Sequence, residues 1–280
     1  TKKFFNMSKK TDDAFYDNLT LGLMKTLNNM PRVCNICCEK RPPCEKAHVV
    51  NWEQRHSVIM PEDMKRFYLS TDGFVVQWSY QYDQNDVRRV GYIHFPHLVQ
   101  ITLLRENIDM IFSKQLDNIN ASNDGTGPRA TPFKDLWGND EPILTPKTKI
   151  FELSRVSDNA KVCFLMNATL SHLCPRIYLL EIDCSRWQFL AETFSEYLRM
   201  SIGHMGLPFW ELCFASCGLP PWVEQLFLLL APHLIQEHQP RRSRIIKRIP
   251  EHPCNVIDPS IFRTKTKITT KPTTASLKHK

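Results

Sequence analysis

The chain has 280 residues, 42% of them apolar and 23% charged, with a net charge of +7. That length can bury a substantial core, and that composition excludes a globally disordered protein. The longest apolar run, Leu226 to Ile235, is interrupted by Pro232 and His233 and is too short to span a bilayer; no charged-then-apolar leader is visible, so a cytoplasmic protein whose 10 cysteines stay reduced is expected.

Residues 1–13 are expected to form a flexible N-terminus. Over 14–29, "AFYDNLTLGLMKTLNN", Phe15, Leu19, Leu23 and Leu27 fall four apart. This predicts an amphipathic helix ended by Pro31. Residues 33–50 mix β-branched residues with cysteines and predict a strand, with Val33, Ile36, Val49 and Val50 as its apolar positions. The stretch 52–74, "WEQRHSVIMPEDMKRFYLSTDGF", is the most organised in the chain. Pro61 suits the first helical position, where a missing N–H costs nothing. Glu62 and Asp63 sit in the first turn, which favours anions. Met64, Phe67, Tyr68 and Thr71 share one helix face, and Gly73 can take the left-handed conformation that ends a helix. "FVVQWSY" then alternates, placing Phe74, Val76, Trp78 and Tyr80 on the buried face of a strand.

Further strands are predicted at 90–95, 148–154, 161–166 and 176–182, with a hairpin signal at Asp158-Asn159. Residues 113–147 are rich in Asn, Asp, Pro, Thr and Gly and read as a long surface insertion carrying "FKDLWG". Ser185 with Gln188 fits a capping box, and Trp187, Leu190, Ala191, Phe194, Leu198, Ser201 and Met205 keep helical spacing up to Gly206. "FWELCFASCGLPPWVEQLFLLLAPHLI" predicts one or two more buried helices.

The character changes at Gln239. From Pro240 to Lys280 there are eleven Lys and Arg against Glu251 and Asp258, a net +9, so residues 1–239 carry −2. Residues 239–280 thus read as a basic, largely disordered tail. Its clusters, Arg241, Arg242, Arg244, Lys247 and Arg248, then Arg263, Lys265 and Lys267, are candidate contacts to an acidic surface. The tail holds one aromatic, Phe262, which disfavours single-stranded nucleic acid.

Few residues suggest chemistry. Cys34, Cys37, Cys44 and His48 have the spacing of a four-ligand zinc set. No glycine turns the knuckle, however, and the stretch reads as a strand, so no metal is expected. GxGxxG, GxxxxGK[ST], GxSxG and HExxH are all missing. His94, His97, His172 and His204 read as surface or hydrogen-bonded histidines.

The Trp52-Glu53 pair, the Met60-Pro61-Glu62-Asp63 helix entry, the aromatic face and the Asp72-Gly73-Phe74 exit resemble the SMI1/KNR4-like (SUKH) family. Residues 52–79, with "IFEL…KVCFL", "FLAETFSEYLRMSIGHMGLPFWELCFASCGL" and "IDPSIFRTKTKI", are similar to non-catalytic subunits of tubulin polyglutamylase complexes; the likeness spans about residues 15–268. It implies an α+β fold over 14–238, with a mixed, mostly antiparallel sheet and packed helices. It implies a scaffold without catalytic residues or cofactor, acting beside a tubulin-tyrosine-ligase-like catalytic subunit and other subunits on tubulin. It also implies a microtubule, centrosome or cilium-base setting. Trp52, Pro61, Phe67, Tyr68, Gly73 and Trp78 then become structural, with Trp52 over an edge. Two rival readings are a zinc-supported binding module and an adaptor whose tail binds nucleic acid or anionic lipid.

Overall fold

Four apolar residues spaced by four predict one helix over 14–29, and two short helices form instead: α1 at 14–19 and α2 at Leu23–Asn29. Leu21 and Gly22 between them are left-handed, with φ of 52° and 74°. Glycine takes that conformation freely, and the kink lets Tyr16 and Thr20 as well as Leu23 and Leu27 reach the interior. The computed structural model describes residues 14–104, 113, 141–142, 144–145, 147–167 and 175–236. Residues 1–13, most of the 113–147 insertion including "FKDLWG", and the basic tail lie outside the described residues. The chain divides into two units, Thr1–His238 and Gln239–Lys280, and the described residues all belong to the first.

Strand β1, Val33–Glu39, stops before Pro42-Pro43. The predicted continuation to Val50 does not occur. Val49 and Val50 belong to helix α3, Lys46–His56, where Val49, Trp52 and His56 are buried at i, i+3 and i+7. Helix α4, Glu62–Ser70, follows. Pro61 is its N-cap, one position earlier than the first helical position expected. Met64, Phe67, Tyr68 and Thr71 are all buried, as the helical period predicts.

Strands β2, Phe74–Gln81, and β3, Val87–Phe95, pair antiparallel with β1 in the order β1-β2-β3. Phe74, Val76, Trp78 and Tyr80 all point inward. A second sheet is an antiparallel meander of β4 (Thr148–Ser157), β5 (Ala160–Asn167), β6 (Arg176–Glu181) and β7 (Arg186–Ala191). Asp158-Asn159 forms the β4–β5 turn, with Ser157 opposite Ala160. The α+β class holds. Every ladder among the described residues is antiparallel, and the strands divide between two sheets where the resemblance implied one.

The helix expected after Ser185 starts later. Residues 186–191 pair with β6, Trp187 opposite Leu180. Trp187 enters a small core on one face of the second sheet, and Leu190 and Ala191 enter the main core on the other. A strand buried on both faces reads as an unbroken apolar run, which helical spacing also fits. Helix α5 is Phe194–Gly203, capped by Thr193, whose hydroxyl accepts from Glu196 N–H at 3.1 Å. A 3₁₀ turn, Trp210–Phe214, then leads to helix α6, Pro221–Leu230, and to α7, Pro232–Gln236.

The segment 101–104 joins the sheets. Leu103 bridges to Phe151, and Leu104 N–H donates to Ile150 O at 2.8 Å. One continuous apolar core takes side chains from both sheets and from α2 to α7. No helix among the described residues is long and apolar enough to cross a membrane.

Candidate functional site

The motif at 52–80 is the natural place to look for a site, and its tryptophans and helix-face aromatics are engaged in packing. Trp52 is buried, with its ring against β4, the edge strand of the second sheet. Its indole N–H donates to Ile101 O at 3.0 Å, and its ring lies 5.0 Å from that of Phe151 on β4. Glu53 accepts from Met60 N–H at 2.9 Å and pairs with Lys65 at 3.5 Å. That fixes the α3–α4 connection and explains the glutamate beside the tryptophan. Phe67 meets Phe194 at 5.0 Å, Phe95 at 5.7 Å and Phe74 at 6.2 Å between ring centroids. Tyr68 is fully buried, and its hydroxyl donates to Pro96 O at 3.1 Å. Burial among the Asp72 and Cys44 side chains pushes its ionisation far above the usual range.

The helix exit has the same character. Asp72 accepts from Leu98 N–H at 2.8 Å with one oxygen and meets His97 Nδ1 at 2.9 Å with the other. Thr71 donates to Gly73 O at 2.7 Å. Gly73 has φ of 79°, and a Cβ there would lie 2.3 Å from Phe95 O. Glycine is therefore required twice over, by conformation and by close approach. Trp78 is wholly buried, and its N–H reaches Met205 O at 2.9 Å, which ties β2 to the turn after α5.

The cysteine cluster is not gathered into a metal site. Cys34, Cys37 and Cys38 lie along β1, opposite Ser79, Gln77 and Val76 on β2. Cys44 is buried and His48 is exposed on α3. Burial pushes the Cys38 and Cys44 thiols upward. Among the described residues no group of three or more His, Cys, Asp or Glu is placed to hold a metal ion.

The remaining buried polar groups brace the fold. Lys161, 2% exposed, donates to Glu152 across β4 and β5 at 2.9 Å. Glu181 accepts from Ser216 Oγ at 2.6 Å and from Ser216 N–H at 3.0 Å, which holds the segment after the 3₁₀ turn against the second sheet. Burial pushes the Glu211 carboxyl up to about 7. His204 stacks on Trp210 at 4.6 Å, and His94 is exposed beside Tyr92. His172 and the tail residues Arg241, Arg242, Arg244, Lys247, Arg248, Arg263, Lys265 and Lys267 lie outside the described residues. Glu53 and Asp72 are joints that no motif reveals, as is Asp63, which accepts from Ser195 N–H at 2.8 Å. The signals present were polar residues flanking a helix start or stop, which is where unpaired backbone groups collect.

An α+β protein results whose most organised motif is a packing device. No family model matches the chain, so the likeness to the SMI1/KNR4-like family rests on the motif residues. The chain is similar to Tubulin polyglutamylase complex subunit 2 of Rattus norvegicus, Homo sapiens and Mus musculus. Each is 28% identical over 264 residues, covering 90% of this chain and 82%, 80% and 82% of the respective relative.

Proposed function

We propose that this chain is a non-catalytic scaffold subunit of a tubulin polyglutamylase complex. The observation that carries this reading is similarity over 90% of the chain to relatives named as complex subunits. The structure supports it from below. Three of the four carboxylates of the central motif, Glu53, Asp63 and Asp72, hold backbone N–H groups of neighbouring segments, and the fourth, Glu62, pairs with Arg66 on the helix surface. A catalytic chain of the tubulin-tyrosine-ligase-like kind supplies the glutamylation, and this chain supports its assembly and its access to tubulin, in a microtubule-associated setting. The basic tail supplies contact with the acidic tubulin surface.

Two arms test this. The purified full chain, incubated alone with tubulin, ATP and glutamate, is expected to add no glutamate above background. Co-expressed with the catalytic chain and the other subunits, it is expected to co-purify with them and to raise glutamylation over the assembly lacking it. Incorporation by the isolated chain, or an assembly indifferent to its presence, refutes the scaffold reading.

A further inference from the structure

Helix α6, "PWVEQLFLLL", is apolar almost all round. Its inner face buries Val223, Leu226 and Phe227 in the main core. Its outer face leaves Trp222 58%, Leu228 54% and Leu229 55% exposed. Trp222 and Leu229 are seven residues apart, so they lie on nearly the same stripe, with Leu228 beside them on the solvent side. Glu224 and Gln225 are the only polar residues of the helix. A helix apolar on every face is normally a buried one.

The patch is also pre-shaped. Pro220 and Pro221 stiffen the helix entry. Phe209, a non-glycine residue held at φ of 57°, sets its ring edge-on to Trp222 at 5.9 Å. A bulky residue in that conformation is strained, and the surrounding structure must hold it there.

The charge pattern selects the occupant. No lysine or arginine occurs between Arg199 and Arg241. Helices that lie on anionic membranes carry cations on their polar face, and nucleic-acid surfaces demand them. A cation-free apolar patch, a tryptophan beside leucines with Glu224 its one charge, instead suits the desolvated centre of a protein interface. We infer that the exposed face of α6, centred on Trp222, Leu228 and Leu229, is where another polypeptide subunit of the polyglutamylase complex docks, through an apolar helix or groove. This rests on the subunit reading above.

The test uses the full chain with all subunits of the complex co-expressed and the catalytic chain tagged. The variants are Leu228→Glu/Leu229→Glu and, separately, Trp222→Ala. Wild type is expected to be retained with the tagged chain. The double variant is expected to lose about tenfold or more in retention, and Trp222→Ala to lose retention in the same direction. The isolated double variant should melt close to wild type, because these side chains are exposed in the isolated chain. Hydrogen exchange of wild type should slow over 221–230 on assembly. Equal retention of wild type and both variants overturns the inference, as does unchanged exchange over 221–230. Wild-type dimerisation abolished by the double variant would assign the face to a second copy and overturn it. Flotation with phosphatidylcholine–phosphatidylserine vesicles that depends on the same leucines would assign it to lipid and overturn it. Failure of wild type itself to be retained removes the subunit reading, and this inference with it.

Discussion

Trp78 shows how much one side chain organises. It is wholly buried, and its indole N–H reaches a carbonyl 127 residues away. Trp78→Ala is expected to cost about 3–5 kcal/mol, the range for truncating a large buried aromatic, read as a shift in the urea midpoint. A variant that stays soluble with an unchanged midpoint would mean that this strand face is not core. Gly91 lies directly beneath the ring, and a Cβ there would fall 1.8 Å from Trp78 Nε1. The indole cannot move without giving up its hydrogen bond, so Gly91→Ala should cost about 1–3 kcal/mol by overpacking. Gly203, with nothing within 4 Å of its added Cβ, is the control and should tolerate alanine.

Glu211 makes stability depend on pH. Burial raises its carboxyl from near 4.5 to about 7 in the folded protein. A raised carboxyl favours the folded state while it keeps its proton, so this contribution is fully present below pH 4.5 and is lost as pH rises through about 7. The loss is on the order of 3 kcal/mol. Glu211→Gln should flatten the decline in melting temperature between pH 4.5 and 8, and an unchanged profile would show that Glu211 does not titrate there.

Among the elements, α5 has the most instructive start. Thr193 accepts from Glu196 N–H, and Asp63 of α4 accepts from Ser195 N–H at 2.8 Å. Asp63 thus serves the first turn of its own helix and caps a second one. Thr193→Ala should cost about 1 kcal/mol. Asp63→Ala should cost a similar amount, and the two should be non-additive in a double-mutant cycle, because both hold the same helix end. Strict additivity would mean that the caps act independently. The threonine cap was legible in principle as Thr-x-x-Glu, but Ser185-x-x-Gln188 fits the same pattern. Only the pairing of 186–191 with β6 chooses between them. The break at Leu21-Gly22 escaped for a related reason: a four-residue apolar period survives a kink that rotates one turn against the next.

For the whole molecule, the decisive number is the charge division, +9 on residues 240–280 and −2 on the rest. We expect the tail to strengthen binding to microtubules through several exposed cations, each worth only about 0–1 kcal/mol. Binding should weaken steeply with salt, since the screening length falls from about 10 Å at 0.1 M to about 3 Å at 1 M. Co-sedimentation of the full chain, a truncation at Gln239, and microtubules stripped of their acidic tails would measure it. Equal pelleting of the truncated and full chains at low salt would reduce the tail to a solubilising end. Tail-dependent binding to RNA or anionic vesicles as tight as to microtubules would favour the adaptor reading.

The sequence by itself determined the parts governed by near neighbours. The face of α4, the inward side of β2, the Asp158-Asn159 turn and the charge division each follow from period, conformational freedom or composition within a few residues. Tertiary structure alone decided the rest. It chose two sheets over one, turned Val49 and Val50 into a helix face, made 186–191 a strand, and set Trp52 against Ile101 and Phe151. The physical reason is the same each time. An apolar residue is driven out of water regardless of what covers it, so its burial can be read locally, while the identity of its neighbour depends on contacts tens of residues away. The cysteine cluster shows the reverse limit: four ligand-type residues at metal spacing are not gathered, with Cys34 and Cys37 on β1, Cys44 in the loop after it and His48 on α3.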